Sequence, residues 1–278
     1  MSTIRGLVKH VDRRLFKGLF RDLEHYRARR GPYLRAPSNS YVVYPFLPVG
    51  RSRERFRQLC DKYGSDKSSM REELSLPYSW VAHRYDFLYA ALFPTEQNRK
   101  DVRFVFEVGL GSTDPEVASN MGPGGVPGAS MRIWQDFFPR ACVVGADVDA
   151  KVIFETARIK TYLVDQTKSD SVSDMWKAVQ IDSWGQTLAD VGGFDLIVDD
   201  GLHTFEANCT FLRSSLGQLT KSRPAFYVVE DVSEGALPDW YELLNDVYVR
   251  DGFSCFVYRL SPESKEAIND NCIVLRAG

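Results

Sequence analysis

The chain has 278 residues, 44% of them hydrophobic and 26% charged, with a net charge of −2. Such a composition belongs to a globular protein and excludes a disordered, collagenous or disulfide-scaffold chain. The 35 basic and 37 acidic residues nearly balance overall, yet residues 1–35 alone hold ten basic against three acidic.

Residues 3–30 read as one basic amphipathic helix. Ile4, Leu7, Val8, Val11, Leu15, Leu19, Leu23 and Tyr26 recur at spacings of three and four, with Arg5, Lys9, Arg13, Lys17 and Arg21 off that stripe. This pattern suits peripheral contact with an anionic membrane face or packing against a second subunit. Residues 31–50 hold four of the thirteen prolines and no helical period, so they read as an extended arm. Helical patterns return over 51–62 and 80–93, flanking a turn-rich stretch from Tyr63 to Ser69. No stretch approaches the roughly 18 uninterrupted apolar residues of a membrane span. The N-terminus is too charged for the apolar core of a secretory signal, so a cytoplasmic protein is expected. Five widely spaced cysteines without a CxxC pair read as reduced, buried thiols.

From residue 103 short apolar runs alternate with helical segments. The runs are 103–108, 142–148, 161–164, 194–198, 226–229, 253–260 and 272–275; the helical segments are 129–138, 151–157, 170–180, 205–219 and 239–249. Alternation of this kind predicts a parallel sheet covered on both faces. The last two runs are joined by a short polar segment, so they should pair antiparallel. The expected fold is α/β: a doubly wound, seven-stranded sheet of five parallel strands plus a terminal antiparallel pair, with a helical N-terminal extension. The chain then divides into 1–50 (helix and arm), 51–100 (helical lid) and 101–278 (sheet domain).

Ligands of such sheets bind beyond the carboxyl ends of the strands. The first strand ends in Glu107-Val-Gly109-Leu-Gly111, whose glycines permit a tight turn and close backbone approach. A dinucleotide site would run GxGxxG straight into a helix with an acid about 20 residues on. Here a Gly/Pro-rich insert, Thr113–Gly128, intervenes, and the next strand-end acid is Asp147, which could take ribose hydroxyls of another nucleoside cofactor. Asp165 and Gln166 end the third strand, where an adenine edge could be read. The fourth strand ends Asp199-Asp200-Gly-Leu-His203 and the fifth Glu230-Asp231. Neighbouring strands would bring Asp200, Glu230 and Asp231 into one crevice, where unpaired carboxylates are costly. A hard divalent cation, Mg²⁺ before Ca²⁺, resolves that cost. His203 stands in the following turn, placed as a base.

The motifs together resemble a metal-dependent family of S-adenosylmethionine O-methyltransferases acting on sugar hydroxyls, the macrocin and mycinamicin type, with cephalosporin-hydroxylase-like relatives. They are Tyr63-Gly-Ser-Asp-Lys67, His83-x-Tyr85-x3-Tyr89, Glu107-x-Gly109-x-Gly111, Gly128-Ala-Ser130-x-Arg132-x-Trp134, Phe138-Pro139, Gly145-x-Asp147, Asp165-Gln166, Asp199-Asp200-Gly-x-His203 and Glu230-Asp231, within residues 60–235. The family usually has Ser where this chain has Leu202. The resemblance implies a class I, Rossmann-like methyltransferase fold and an Mg²⁺-dependent O-methyltransferase of a sugar or glycan. It implies that Glu107, Gly109 and Gly111 line the methionine and ribose part of the cofactor, with Ser130 beside them. Asp147 would take the ribose, Asp165 and Gln166 the adenine, with Asp199 in a supporting or cofactor-side role. Tyr63, Ser65 and Lys67 would form a lid over the cofactor. Asp200, Glu230 and Asp231 would hold Mg²⁺, and His203 would be the general base. A catechol-like acceptor would suit the same chemistry, and a non-catalytic cofactor-binding membrane adaptor is the reading from another class. No basic, aromatic-rich RNA module follows residue 35, so no nucleic-acid partner is expected.

Overall fold

The computed structural model describes residues 41–43, 50–71, 78, 80–179, 188–248, 251–260 and 270–277. The expected helix over 3–30 and most of the arm to residue 50 lie outside the described residues. The strands are β1 Tyr41–Val43, β2 Phe104–Val108, β3 Cys142–Asp147, β4 Ile159–Leu163, β5 Leu196–Asp199, β6 Ala225–Val232, β7 Ser254–Arg259 and β8 Asn271–Ala277. They form one sheet in the order β1-β7-β8-β6-β5-β2-β3-β4. β2 to β6 are mutually parallel, and β8 runs antiparallel between β6 and β7. This is the expected seven-stranded sheet. To it the arm adds a three-residue edge strand, β1, parallel to β7.

The α-helices among the described residues are α1 Arg51–Tyr63, α2 Tyr85–Leu92, α3 Glu96–Asp101, α4 Ala129–Phe137, α5 Ser169–Ala178, α6 Leu188–Val191, α7 Phe205–Ser215 and α8 Leu237–Leu243. The helix expected over 151–157 shrinks to a single 3-10 turn at Ala150–Val152. Beyond it the chain doubles back on β4: Thr161 Oγ1 accepts from Phe154 N at 2.6 Å, and Thr156 N donates to Ile159 O at 2.8 Å. Backbone groups committed to the sheet cannot also close helical bonds.

The central strands β2 and β5 are buried along their whole length, as strands covered on both faces must be. On one face α1 and α2 share the core with α4. Phe56 lies 5.1 Å from Tyr89 and 5.7 Å from Trp134, ring centre to ring centre, and Leu59 and Leu88 are fully buried beside them. On the other face Phe106 packs on Trp176, Phe194 and Phe211. Each such side chain contributes about 1.5–3 kcal/mol on burial. Residues 51–63 and 85–92 are therefore built into the sheet's packing, which fixes the 64–67 turn over the strand ends. All five cysteines are free thiols, and Cys60, Cys209, Cys255 and Cys272 are buried. No helix among the described residues is long and apolar enough to cross a membrane.

Candidate active site

β2 has β3 on one side and β5 on the other, so the direction of chain winding reverses there. A crevice opens at that reversal. It is lined by the 64–67 turn, Gly109–Gly111, Met121, Ser130, Asp200, His203 and Asp231. Gly109 has φ +94°, and a Cβ there would lie 1.9 Å from the Asp200 carbonyl oxygen. The glycine is what allows the ends of β2 and β5 to meet. Thr204 caps α7 by accepting from Ala207 N, which ends the 200–203 turn just past His203. His203 and Asp231 both have left-handed backbone, φ 59° and 54°. Non-glycine residues rarely adopt that conformation, and it concentrates at functional sites.

The charged groups divide into two sets around Asp200. In the inner set, the fully buried Lys67 ammonium lies 2.7 Å from Asp200 Oδ2 and 3.2 Å from Glu107 Oε1, and it also bonds Glu230. Tyr89 donates its hydroxyl to Glu230 Oε1 at 2.6 Å, and Trp134 Nε1 donates to Glu107. One ammonium faces three carboxylates. Burial and the neighbouring acids, opposed by Lys67, push Asp200 well above the usual carboxylate range and Glu230 up to about 7. In the outer set, Asp231 accepts from Tyr85 Oη at 2.7 Å and lies 3.3 Å from His83 Nε2 and 3.5 Å from His203 Nδ1. Burial works against its charge, but His83 and His203 outweigh it and bring Asp231 to about 2. His83 stacks on Tyr85 at 4.7 Å and lies 3.4 Å from Asp270. Burial alone would lower His83, yet Asp231 and Asp270 raise it to about 10.

No family model matches the chain. It is 26% identical over 197 residues to an 8-demethyl-8-alpha-L-rhamnosyl tetracenomycin-C 2'-O-methyltransferase of Streptomyces olivaceus, covering 71% of this chain and 43% of that protein. It is 30% identical over 156 residues to the demethylmacrocin O-methyltransferase of Streptomyces fradiae, covering 55% of this chain and 32% of that one. The solved MycE methyltransferase in complex with Mg, SAH and mycinamycin VI superposes with a TM-score of 0.54 at 19% identity, over 80% of this chain and 54% of that chain. The fold is that of a class I methyltransferase. The chain spans less than half the length of the curated relatives it matches.

Within this methyltransferase fold, the crevice brings together Ser65, Lys67, Gly109, Gly111, Ser130, Asp200, His203 and Asp231. Glu107 and Glu230 lie directly behind it. The remaining sequence candidates are not among the residues that line this crevice. Tyr63 donates its hydroxyl to Asp136 at 2.7 Å and does not line the crevice. Asp147 accepts from Leu110 N at 2.7 Å and Asp149 N at 2.9 Å, fastening the glycine turn. Asp165 accepts from Thr167 and pairs with Lys168, a polar turn. Gln166 donates to Asp199 at 3.0 Å and accepts from Leu202 N at 2.7 Å, tying the β4 end to the 199–202 turn. Asp199 is fully buried, faces Gln166 and Tyr227, and is raised by burial. Sequence reasoning gave no role to His83, Tyr85, Tyr89 or Asp270. The His-x-Tyr-x3-Tyr spacing was the signal for the first three.

Two triads offer ligand atoms within 4.8 Å of one another: Asp200, His203 and Asp231, and Glu107, Asp200 and Glu230. Glu230 thus belongs with Lys67, while Asp231 belongs with the imidazoles. The outer triad fits a hard cation, since two of its three donors are carboxylate oxygens.

Proposed function

We propose that the chain is an S-adenosylmethionine- and Mg²⁺-dependent O-methyltransferase acting on a sugar hydroxyl. What carries the reading is the convergence of Asp200, His203 and Asp231 on a crevice that also contains the Gly109–Gly111 turn. When bound, the cofactor supplies a methyl on a cationic sulfur and the metal supplies positive charge for a hydroxyl that must lose its proton.

The chain's own residues would do the following. The glycine turn lets backbone approach the cofactor, with Ser65 and Ser130 on either side. Asp200 and Asp231 would hold the cation, and Glu230 behind them adds negative charge to its field. Lys67 offsets the buried carboxylates and keeps Asp200 turned toward the crevice. A sugar hydroxyl is a weak nucleophile at neutral pH, and His203 would take its proton. The Nδ1 of His203 faces Asp231, so Nε2 is the nitrogen available for the transfer. A base so placed contributes about 10²–10⁴ in rate, and alignment of the two reactants contributes the rest.

Transfer of labelled methyl from the cofactor to a panel of glycosides and catechols, with and without EDTA, tests this reading. Sugar-linked label lost on chelation and restored by Mg²⁺ is expected. His203→Ala should lose about 10²–10⁴ in kcat while keeping its affinity for S-adenosylhomocysteine. Full activity after exhaustive chelation, or label on catechols alone, overturns it.

A further inference from the structure

Beside the crevice, and sharing His83 with it, lies a second cavity of about 180 Å³ between α1, the turn after it and the start of α2. Arg53, Arg57, Arg71 and Arg84 border it, with Ser68 at its wall. Arg53 and Arg57 are one helical turn apart on α1, so both project to the same side. Two of these guanidinium groups have carboxylate partners: Arg53 bonds Asp86, and Arg71 lies 3.8 Å from Asp61. The other two have none among the described residues. Arg57 donates from Nε and Nη2 to the Ser69 carbonyl oxygen at 2.9 and 2.6 Å. Arg84 lies over the Phe87 ring at 4.6 Å. Arg53 covers the same ring at 3.6 Å. Stacking and main-chain bonds hold these side chains in place without neutralising them, so among the described residues the cavity carries a surplus of positive charge. The surrounding chain, acidic overall beyond residue 35, makes such a surplus local.

We infer that this cavity is an anion subsite that takes a phosphoryl group carried by the acceptor, as in a sugar phosphate or a nucleoside diphosphate sugar. Guanidinium groups match phosphate oxygens in pairs, through parallel N–H donors. The cavity has room for a group several times the size of a water molecule. Its place fits that role: His83 touches Asp231 on one side and borders the arginine cavity on the other. An acceptor with its phosphate among Arg57 and Arg84 would reach past His83 to the Asp200–His203–Asp231 triad. The inference rests on the proposed methyl-transfer reading for the identity of the acceptor, but not for the anion binding itself.

Binding and turnover test the two parts separately. Calorimetric titration of the full chain with inorganic pyrophosphate should show saturable binding, weakened at least tenfold in Arg57→Gln and in Arg84→Gln. Melting temperature and S-adenosylhomocysteine affinity report whether these variants keep their fold. Arg84 is the safer of the two, since only its aromatic stack is lost. In methyl transfer, hexose 1-phosphates and nucleoside diphosphate hexoses should exceed neutral methyl hexosides at least tenfold in kcat/KM, and the preference should disappear in Arg84→Gln. The sugar phosphate and the nucleotide sugar arms tell which source of phosphate is read. Absent pyrophosphate binding, or binding indifferent to both variants, overturns the subsite. Saturable, arginine-dependent binding without any methyl transfer supports the subsite and defeats the methyl-transfer reading instead. Equal turnover of neutral and phosphorylated sugars overturns its role in acceptor choice.

Discussion

Lys67 Nζ lies 2.7 Å from Asp200 Oδ2, joining the turn after α1 to the end of β5 across 133 positions of sequence. The same ammonium reaches Glu107 and Glu230, so one residue outside the sheet compensates carboxylates from β2, β5 and β6. Removing one partner of a buried ion pair leaves the others charged in a poorly solvating interior, typically at a cost of about 3–5 kcal/mol. Lys67→Met should therefore melt well below the wild type. If a divalent cation takes up the same carboxylates, added Mg²⁺ should raise the variant's melting temperature more than the wild type's. An unshifted melting temperature would mean that the acids are held neutral by protons and that Lys67 is not their counter-ion.

The two glycines of the β2 turn should respond differently to a methyl group. At Gly109 an added Cβ meets the Asp200 carbonyl oxygen at 1.9 Å, a backbone atom that cannot step aside. At Gly111 it meets the end of the Met121 side chain at 2.3 Å, which can rotate away, although φ of +81° still costs about 1 kcal/mol for a non-glycine residue. Gly109→Ala should abolish S-adenosylhomocysteine binding and strongly lower stability. Gly111→Ala should fold and bind with modest loss. Thermal melts and a binding titration on the pair would show it, and equal behaviour would contradict the close approach of β2 and β5.

The strand ends were legible because fully apolar runs mark buried parallel strands and their first polar residues mark where each strand leaves the core. Asp199-Asp200 and Glu230-Asp231 fall there, and β5 and β6 are neighbours as expected. Contacts between distant segments were not legible. Nothing near Lys67 announces that its charge is spent on Glu107, Asp200 and Glu230, and nothing near His83 points to Asp270, 187 positions away. The division of the acids into two sets follows from those contacts, which no local pattern in the sequence announces. β1 escaped notice because three residues carry no period. α3 carried a readable start, Thr95 and Asn98 forming a capping box, but its six polar residues bury nothing.

Two adjacent aspartates give a sharp test of the metal assignment. Asp200 faces the crevice, whereas Asp199 points beneath it and accepts from Gln166 Nε2 at 3.0 Å. Asp200→Asn removes a charged oxygen ligand and should abolish both Mg²⁺ binding and methyl transfer. Asp199→Asn should leave Mg²⁺ affinity within a few fold and show its damage as a lower melting temperature, because the Gln166 tie to the 199–202 turn is disturbed. Mg²⁺ titration of both variants separates the roles. Metal binding lost with Asp199 and kept without Asp200 would reverse the assignment.

The insert between β2 and α4, Thr113–Gly128, contributes Met121 to the crevice wall and is fastened at both sides of it. Met121 N donates to Ser112 O at 2.8 Å, and Ser119, with left-handed φ of 57°, donates its hydroxyl to the Leu202 carbonyl at 3.2 Å. Its inner edge therefore lies against the turn that carries His203. A wall built this way should matter more to the acceptor than to the cofactor, whose turn is also held by Asp147. Replacing residues 115–126 with a short glycine link should raise acceptor KM about tenfold, equivalent to about 1.4 kcal/mol of binding. The S-adenosylhomocysteine dissociation constant should move by less than a factor of about three, under 0.7 kcal/mol. Steady-state kinetics with a saturating cofactor measure the first quantity and calorimetry the second. Unchanged KM would make the insert a surface loop with no part in acceptor binding, and a large loss of cofactor affinity with unchanged KM would assign it to the cofactor.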